Sequence, residues 1–149
     1  MNYRILIVED EARLREVLCD YFKSRGEEPF EAADGAAALA MAAEQEFDAV
    51  LLDIMMPGLD GYSVCRVLRQ KSDVPIIFLT ALSDEEDKLH GYQLGADDYI
   101  TKPYSLSVLY AKTTALIRRS RGALRTEGRL ESGGVTLDPD AQKVWLDGT

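Results

Sequence analysis

Two stretches decide how this chain reads: Ala49-Val50-Leu51-Leu52, closed by Asp53, and Pro75-Ile76-Ile77-Phe78-Leu79, followed by Thr80. Both are continuous apolar runs rather than alternating ones, the pattern of short strands covered on both faces. Similar short runs at Arg4 to Val8, Pro29 to Ala32 and Asp98 to Thr101 bring the number of strands read to five. Between them the apolar period lengthens, and the spacing predicts helices over Arg13 to Arg25, Gly35 to Gln45, Gly61 to Lys71, Asp84 to Leu94 and Ser107 to Arg119. In the first, Leu14, Val17, Leu18, Tyr21 and Phe22 form an apolar stripe, and Gly26 is placed to stop the helix. The last carries Leu106, Leu109, Tyr110, Leu116 and Ile117 in the same manner. Five β/α units with tight connections predict an open, doubly wound parallel sheet. A closed barrel needs eight units and about 250 residues.

The chain has 149 residues, a formal charge of −9 and 46% hydrophobic residues, which suits one domain with a short appendage. A core of that size needs no disulfide or metal, and Cys19 and Cys65, far from any ligand-spaced partner, read as buried free thiols. His90 stands alone. No run approaches the ~20 apolar residues of a membrane span, and the N-terminus does not resemble a signal peptide, so a cytoplasmic protein without membrane contact is expected. Residues 1–117 hold 11 basic and 21 acidic side chains, net −10, while 118–149 hold 6 and 5, net +1. An acidic body of this kind repels nucleic acid unless a basic element is attached. Residues 121–134 lack periodicity and read as a linker after a domain over 1–120. The segment 135–149 reads as a β-hairpin opening a second domain.

In a parallel sheet, ligands bind beyond the carboxyl ends of the strands. The residues there are Glu9, Asp10 and Glu11 after the first strand, Asp53 on the third, Thr80 and Ala81 after the fourth, and Lys102 and Pro103 after the fifth. Taken singly each has an ordinary use: Glu9 and Asp10 as caps of the first helix, Asp53 as the start of a turn, Lys102 as a solvated charge. Together they describe a site. Crowded carboxylates repel unless a cation lies among them, and oxygen-only ligands suit Mg²⁺, which keeps positions open for a phosphoryl oxygen. A carboxylate beside it is a candidate phosphoryl acceptor, with the Lys102 ammonium and Thr80 hydroxyl available to neutralise the equatorial oxygens. Small Ala81 leaves room for the incoming group.

The set Glu9-Asp10, the stretch from Asp53 through Pro57-Gly58 to Gly61, Thr80-Ala81, and the stretch from Gly95 to Tyr104 resembles the receiver domain of bacterial two-component response regulators, over about residues 3–120. The later motifs, linker and hairpin are similar to the OmpR/PhoB subfamily, whose second domain is a DNA-binding winged helix. The resemblance implies the flavodoxin-like strand order 2-1-3-4-5. It implies that Asp53 is phosphorylated by a sensor histidine kinase, making the chain a phosphoryl-accepting signalling domain with slow self-dephosphorylation rather than an enzyme. It implies Mg²⁺ held by Asp10, Asp53 and the Met55 carbonyl, with Glu9 acting through a water, and Lys102 paired with the phosphoryl group. It implies a cis bond before Pro103 and a switch in which Thr80 moves to the phosphate and draws Tyr99 inward. It also implies homodimerisation on phosphorylation, through a face carrying Lys88, Asp97, Asp98, Lys112 and Arg119, and DNA contact only through the winged helix. Val108 and Gln93 replace two acidic residues usual on that face, so part of its ion-pair set is missing. Met55 and Met56 read as core, and the Arg118, Arg119 and Arg121 cluster as a helix end.

Two other functions compete. A receiver-like module that signals without phosphorylation would be marked by loss of the acid pocket, Asp53 or Lys102, and all are present. Haloacid-dehalogenase-like phosphohydrolases carry a second Asp two residues after the nucleophile, where this chain has Met55.

Overall fold

A computed structural model of the chain describes residues 2–81 and 85–133, with side chains except those of 85–87, 91 and 122–133. Five strands, β1 (Arg4–Val8), β2 (Glu28–Ala32), β3 (Ala49–Asp53), β4 (Ile76–Thr80) and β5 (Asp98–Thr101), alternate with α1 (Ala12–Ser24), α2 (Gly35–Glu44), α3 (Gly61–Lys71), α4 (Glu85–Gln93) and α5 (Leu106–Gly133). All strand pairs are parallel and the order is β2-β1-β3-β4-β5. The expected sheet and order are both found. Every residue of β3 and β4 is buried, as their unbroken apolar runs require. Pro29 lies on the edge strand β2, where its missing N–H does least harm.

The period-2 alternation of the strands divides the core in two. Leu6, Val8, Val50, Leu52, Ile76 and Phe78 face one layer with Ala38 of α2 and Val64, Cys65 and Leu68 of α3. Ile5, Ile7, Leu51, Ile77 and Leu79 face the other, with Leu18, Cys19 and Phe22 of α1 and Leu109 and Ile117 of α5. Both cysteines are buried free thiols, as expected. The α1 stripe is rotated from the one read in the sequence. Its buried face is Leu18, Cys19 and Phe22, and Val17 points away, 44% exposed. At 100° per residue, Val17 lies far around the helix from the middle of that face.

Helix ends follow local chemistry. Asp34 caps α2 by accepting from the Ala37 N–H, and Asp60 caps α3 by accepting from the Ser63 N–H. Gly26 ends α1 with φ 89°; its N–H donates to the Lys23 carbonyl and the Glu27 N–H to the Phe22 carbonyl. That pair of bonds defines a Schellman motif, whose left-handed residue is easiest for glycine.

Three readings need correction. α5 does not stop at Arg119 but runs to Gly133, through residues read as an aperiodic linker. Ala123, Leu124, Arg125, Glu127, Arg129, Leu130 and Glu131 are good helix formers, and the intervening glycines each cost only about 1 kcal/mol. Arg118, Arg119 and Arg121 therefore do not mark a helix end. Met55 is not core: β3 ends at Asp53, and in the turn that follows Met55 is 59% exposed while Met56 is buried. The chain divides into two units at residue 117, and only residues up to 133 of the second are described. The hairpin read at 135–149 lies outside the described residues. Among those residues, no helix is long and apolar enough to cross a membrane.

Candidate phosphoryl-acceptor site

Strand register assembles the site. Val8 pairs with Leu52, so Glu9 follows directly beside Asp53; Asp53 pairs with Leu79, and Thr80 with Thr101, so Lys102 enters from the far side. The sheet order reverses direction at β1 and β3, where a doubly wound fold opens a cleft beyond its carboxyl ends. One carboxylate oxygen from each of Glu9, Asp10 and Asp53 lies within 4.8 Å of the others; Glu9 and Asp53 are buried and Asp10 is exposed. The Lys102 ammonium stands 3.1 Å from Asp53 Oδ2 and 3.4 Å from Glu9 Oε1. Thr80 is fully buried, and its carbonyl accepts from the Lys102 N–H at 2.7 Å. The Lys102–Pro103 bond is cis, as the resemblance implied.

Neither acidic residue of the first loop caps α1. Glu11 takes the N-cap position without a side-chain bond, and Glu9 Oε2 accepts from the Glu11 N–H. Asp53 does begin a turn, Oδ1 accepting from the Met55 N–H at 3.1 Å, while its other oxygen faces Lys102. Tyr99 lies inward, 7% exposed, between Phe78 and Tyr92. Several of the charges expected on a dimer face are occupied within the chain. Asp98 pairs with Lys112 at 3.4 Å, and Asp97 with Arg69 at 2.7 Å while also accepting from the Ile76 N–H. Lys88 is partly buried, and Arg119 is exposed in the second unit.

Sequence reasoning missed Arg15, 17% exposed at its side chain. It donates to the Glu9 carbonyl at 2.7 Å and to Glu31 at 3.0 Å, fixing the loop that carries Glu9 and Asp10. Its signal was only a position one turn into α1. Tyr104 was also given no role, although its ring packs against the α1 and α5 layer and Glu9, Asp53 and Glu11 are its charged neighbours.

The electrostatics fit a crowded acidic pocket. Burial first, then the Asp53 charge, raises Glu9 to about 7 against the pull of Lys102 and the Glu11 N–H. Burial works against the Lys102 ammonium, but Asp53 and Glu9 together outweigh it and hold its pKa above the usual lysine value. A folded chain that binds the Glu9 proton more tightly than the unfolded one loses stability as pH rises from about 4.5 to about 7. In chelator-treated protein, the unfolding free energy from urea titrations should fall across that window by at most about 1.4 kcal/mol per pH unit and level off above it. Glu9→Gln should remove that component; an unchanged profile in this variant would refute the assignment to Glu9.

Residues 5–114 match the family model described as the response regulator receiver domain. The chain belongs to that family. This receiver domain is 44% identical to the sensory transduction protein RegX3 of Mycobacterium tuberculosis (strain ATCC 25618 / H37Rv), over 97% of the chain and 64% of RegX3. It is 40% identical to the transcriptional regulatory protein ResD of Bacillus subtilis (strain 168), over 98% of the chain and 63% of ResD. The chain thus spans about three fifths of the length of these curated relatives. Among solved structures, the receiver domain of the Francisella response regulator 1452 superposes with a TM-score of 0.77 at 34% identity, covering 80% of this chain and 99% of that one.

Proposed function

We propose that this receiver domain is the phosphoryl-accepting switch of a two-component transcriptional regulator of the OmpR/PhoB type, with Asp53 as the acceptor. The observation that carries this reading is the convergence of Glu9, Asp10 and Asp53 on one point, with Lys102 bridging Glu9 and Asp53. The names of RegX3 and ResD, a sensory transduction protein and a transcriptional regulator, support the wider role. The phosphoryl donor is then a sensor histidine kinase, and output runs through a DNA-binding winged helix in a longer protein.

The donor set fits a hard divalent cation. Its side-chain donors are carboxylate oxygens, and of the three carboxylates Lys102 pairs with Glu9 and Asp53, so a cation relieves repulsion that Lys102 leaves uncancelled. Glu9, Asp10, Asp53 and the Met55 carbonyl would hold Mg²⁺, which supplies charge neutralisation for the phosphoryl oxygens. The chain's own residues do the rest. The Met55 N–H ties down Asp53 Oδ1 and leaves Oδ2 as the attacking oxygen. A new O–P bond forms as the donor's bond to phosphorus breaks, giving an acyl phosphate and the free histidine, or acetate when acetyl phosphate is the donor. Lys102, at hydrogen-bond distance from Oδ2, follows the charge onto a phosphoryl oxygen. Thr80, directly after Leu79, the β4 partner of Asp53, supplies the hydroxyl that reports the phosphate, and Tyr99 on the neighbouring strand moves with it. Dimerisation would then engage Lys88, Asp98 and Lys112, with Leu89 and Val108, 58% and 48% exposed, adding apolar surface to a charge set that is incomplete. Exposed ion pairs contribute only about 0.2 to 1 kcal/mol each, so that apolar surface is expected to weigh more.

Intact-mass spectrometry after incubation with acetyl phosphate and Mg²⁺ tests the reading. One added phosphate, released by hydroxylamine and absent with EDTA, is the expected result. An unmodified chain, shown to be folded, would overturn it and favour a module that signals without phosphorylation.

A further inference from the structure

Asp10 is the exposed member of the three converging carboxylates, so its place depends on the two peptide groups that flank it. Both are held. The Asp10–Glu11 peptide donates its N–H to Glu9 Oε2 at 3.1 Å, and the carbonyl of the Glu9–Asp10 peptide accepts from Arg15 Nη1 at 2.7 Å. Glu9 is fixed at its other polar atoms as well: its N–H donates to the Ala32 carbonyl at 3.1 Å, and its Oε1 accepts from Lys102 at 3.4 Å. The Arg15 bond completes that set, reaching back from one turn into α1. Glu31 of β2 aims the guanidinium, accepting from its Nε at 3.0 Å. A planar fork engaged on two of its nitrogens has one orientation, and a charged donor holds a carbonyl more strongly than a neutral one. Contacts one layer out from a metal ligand fix its direction, and losing one weakens metal affinity. We propose that Arg15 is a positioning residue for phosphoryl transfer, acting through the Glu9 carbonyl to keep the Asp10 carboxylate on the point it shares with Glu9 and Asp53. The inference rests on the proposed function, in which those carboxylates bind Mg²⁺ and Asp53 takes the phosphate.

Arg15→Met and Arg15→Lys test it beside Arg69→Met. Arg69 likewise donates to backbone carbonyls, those of Gly95 and Val74, and pairs with Asp97, but at the amino ends of β4 and β5, away from the pocket. Mg²⁺ is titrated calorimetrically into each metal-free protein, thermal unfolding is followed without the ion, and phosphate uptake from acetyl phosphate is measured over a range of Mg²⁺ concentrations. Arg15→Met is expected to raise both the Mg²⁺ dissociation constant and the Mg²⁺ concentration for half-maximal uptake about tenfold, while the rate at saturating Mg²⁺ stays within about twofold of wild type. Arg15→Lys keeps a charge and a donor without the fork and should fall between the two. Arg69→Met should melt lower than wild type and bind Mg²⁺ as wild type does. An arginine that only stabilised the fold would lower the melting temperature in both methionine variants and move neither constant. Unchanged Mg²⁺ affinity in Arg15→Met overturns the proposal, as does an equal loss of affinity in Arg69→Met. Should Arg15→Met not fold, Arg15→Lys decides by the same criterion. A wild type that takes up neither Mg²⁺ nor phosphate overturns the functional reading instead, and that result is distinct from a wild type that binds and an Arg15 variant that binds equally well.

Discussion

Asp53→Asn is expected to take up no phosphate from acetyl phosphate and, without Mg²⁺, to melt at or above the temperature of the wild-type chain. The first half follows from chemistry: an amide oxygen does not act as the carboxylate nucleophile. The second follows from the charge count. Glu9, Asp10 and Asp53 converge while Lys102 pairs with Glu9 and Asp53 alone, and the Asp53 charge is among the forces that push the Glu9 proton affinity up. Asparagine fills the same space, still offers an oxygen to the Met55 N–H, and leaves Lys102 to Glu9 at 3.4 Å. Removing one of several crowded like charges should therefore raise the melting temperature by roughly 2 to 5 °C. Addition of Mg²⁺ should then stabilise the wild type much more than the variant. Parallel thermal scans check both points. A variant that melts several degrees below wild type without metal would mean that the Lys102–Asp53 pair outweighs the repulsion, and the pocket would not be a strained anion cluster.

Gly61→Ala should be the most damaging single methyl that can be added near the site. A Cβ there would lie 2.5 Å from the Asp53 carbonyl oxygen and 2.7 Å from Ile54 Cα, both backbone atoms with nowhere to go. The Gly61 N–H also donates to the Ile54 carbonyl at 3.0 Å, holding the start of α3 against the end of β3. The methyl must push helix from strand at Asp53, the proposed acceptor. A loss of about 3 kcal/mol is expected, or roughly 10 °C in melting temperature, with slower phosphoryl uptake. Gly58→Ala is the comparison. Gly58 has φ 78° but open space around it, so only the left-handed backbone is penalised, by about 1 to 2 kcal/mol. Equal urea midpoints for the two variants would sink the close-approach argument.

The strands and the pocket were legible because both are written locally. Runs such as Val50-Leu51-Leu52 signal burial on both faces, and whatever follows them in a parallel sheet must gather at one edge, so Glu9, Asp10, Asp53, Thr80 and Lys102 could be listed before any coordinates. What escaped is what depends on side chains reaching across the fold. Asp97 read as a charge for a partner molecule, yet Arg69 claims it across 28 residues of sequence while also donating to the Gly95 and Val74 carbonyls. Nothing in the neighbourhood of either residue announces that pairing. Arg15 and the Glu9 carbonyl are only six apart, but the bond depends on how α1 leaves the strand. Residues 121–133 failed for the opposite reason: their glycines and serine drew the eye to flexibility, while the alanines, leucines, arginines and glutamates between them set the helix.

Glu27 pins three elements together at the amino end of the sheet. This buried carboxylate accepts from the Tyr3 N–H with one oxygen and from the Tyr110 hydroxyl with the other, and the Arg25 guanidinium lies over the rings of Tyr21 and Tyr110. It sits before β2, at the edge of the sheet opposite the pocket, and so ties the first strand, the turn after α1 and the first turns of α5 to one point. One carboxylate thus fixes the start of α5 to the first strand and to the turn after α1 through bonds that involve none of the acidic residues at the carboxyl ends of the strands.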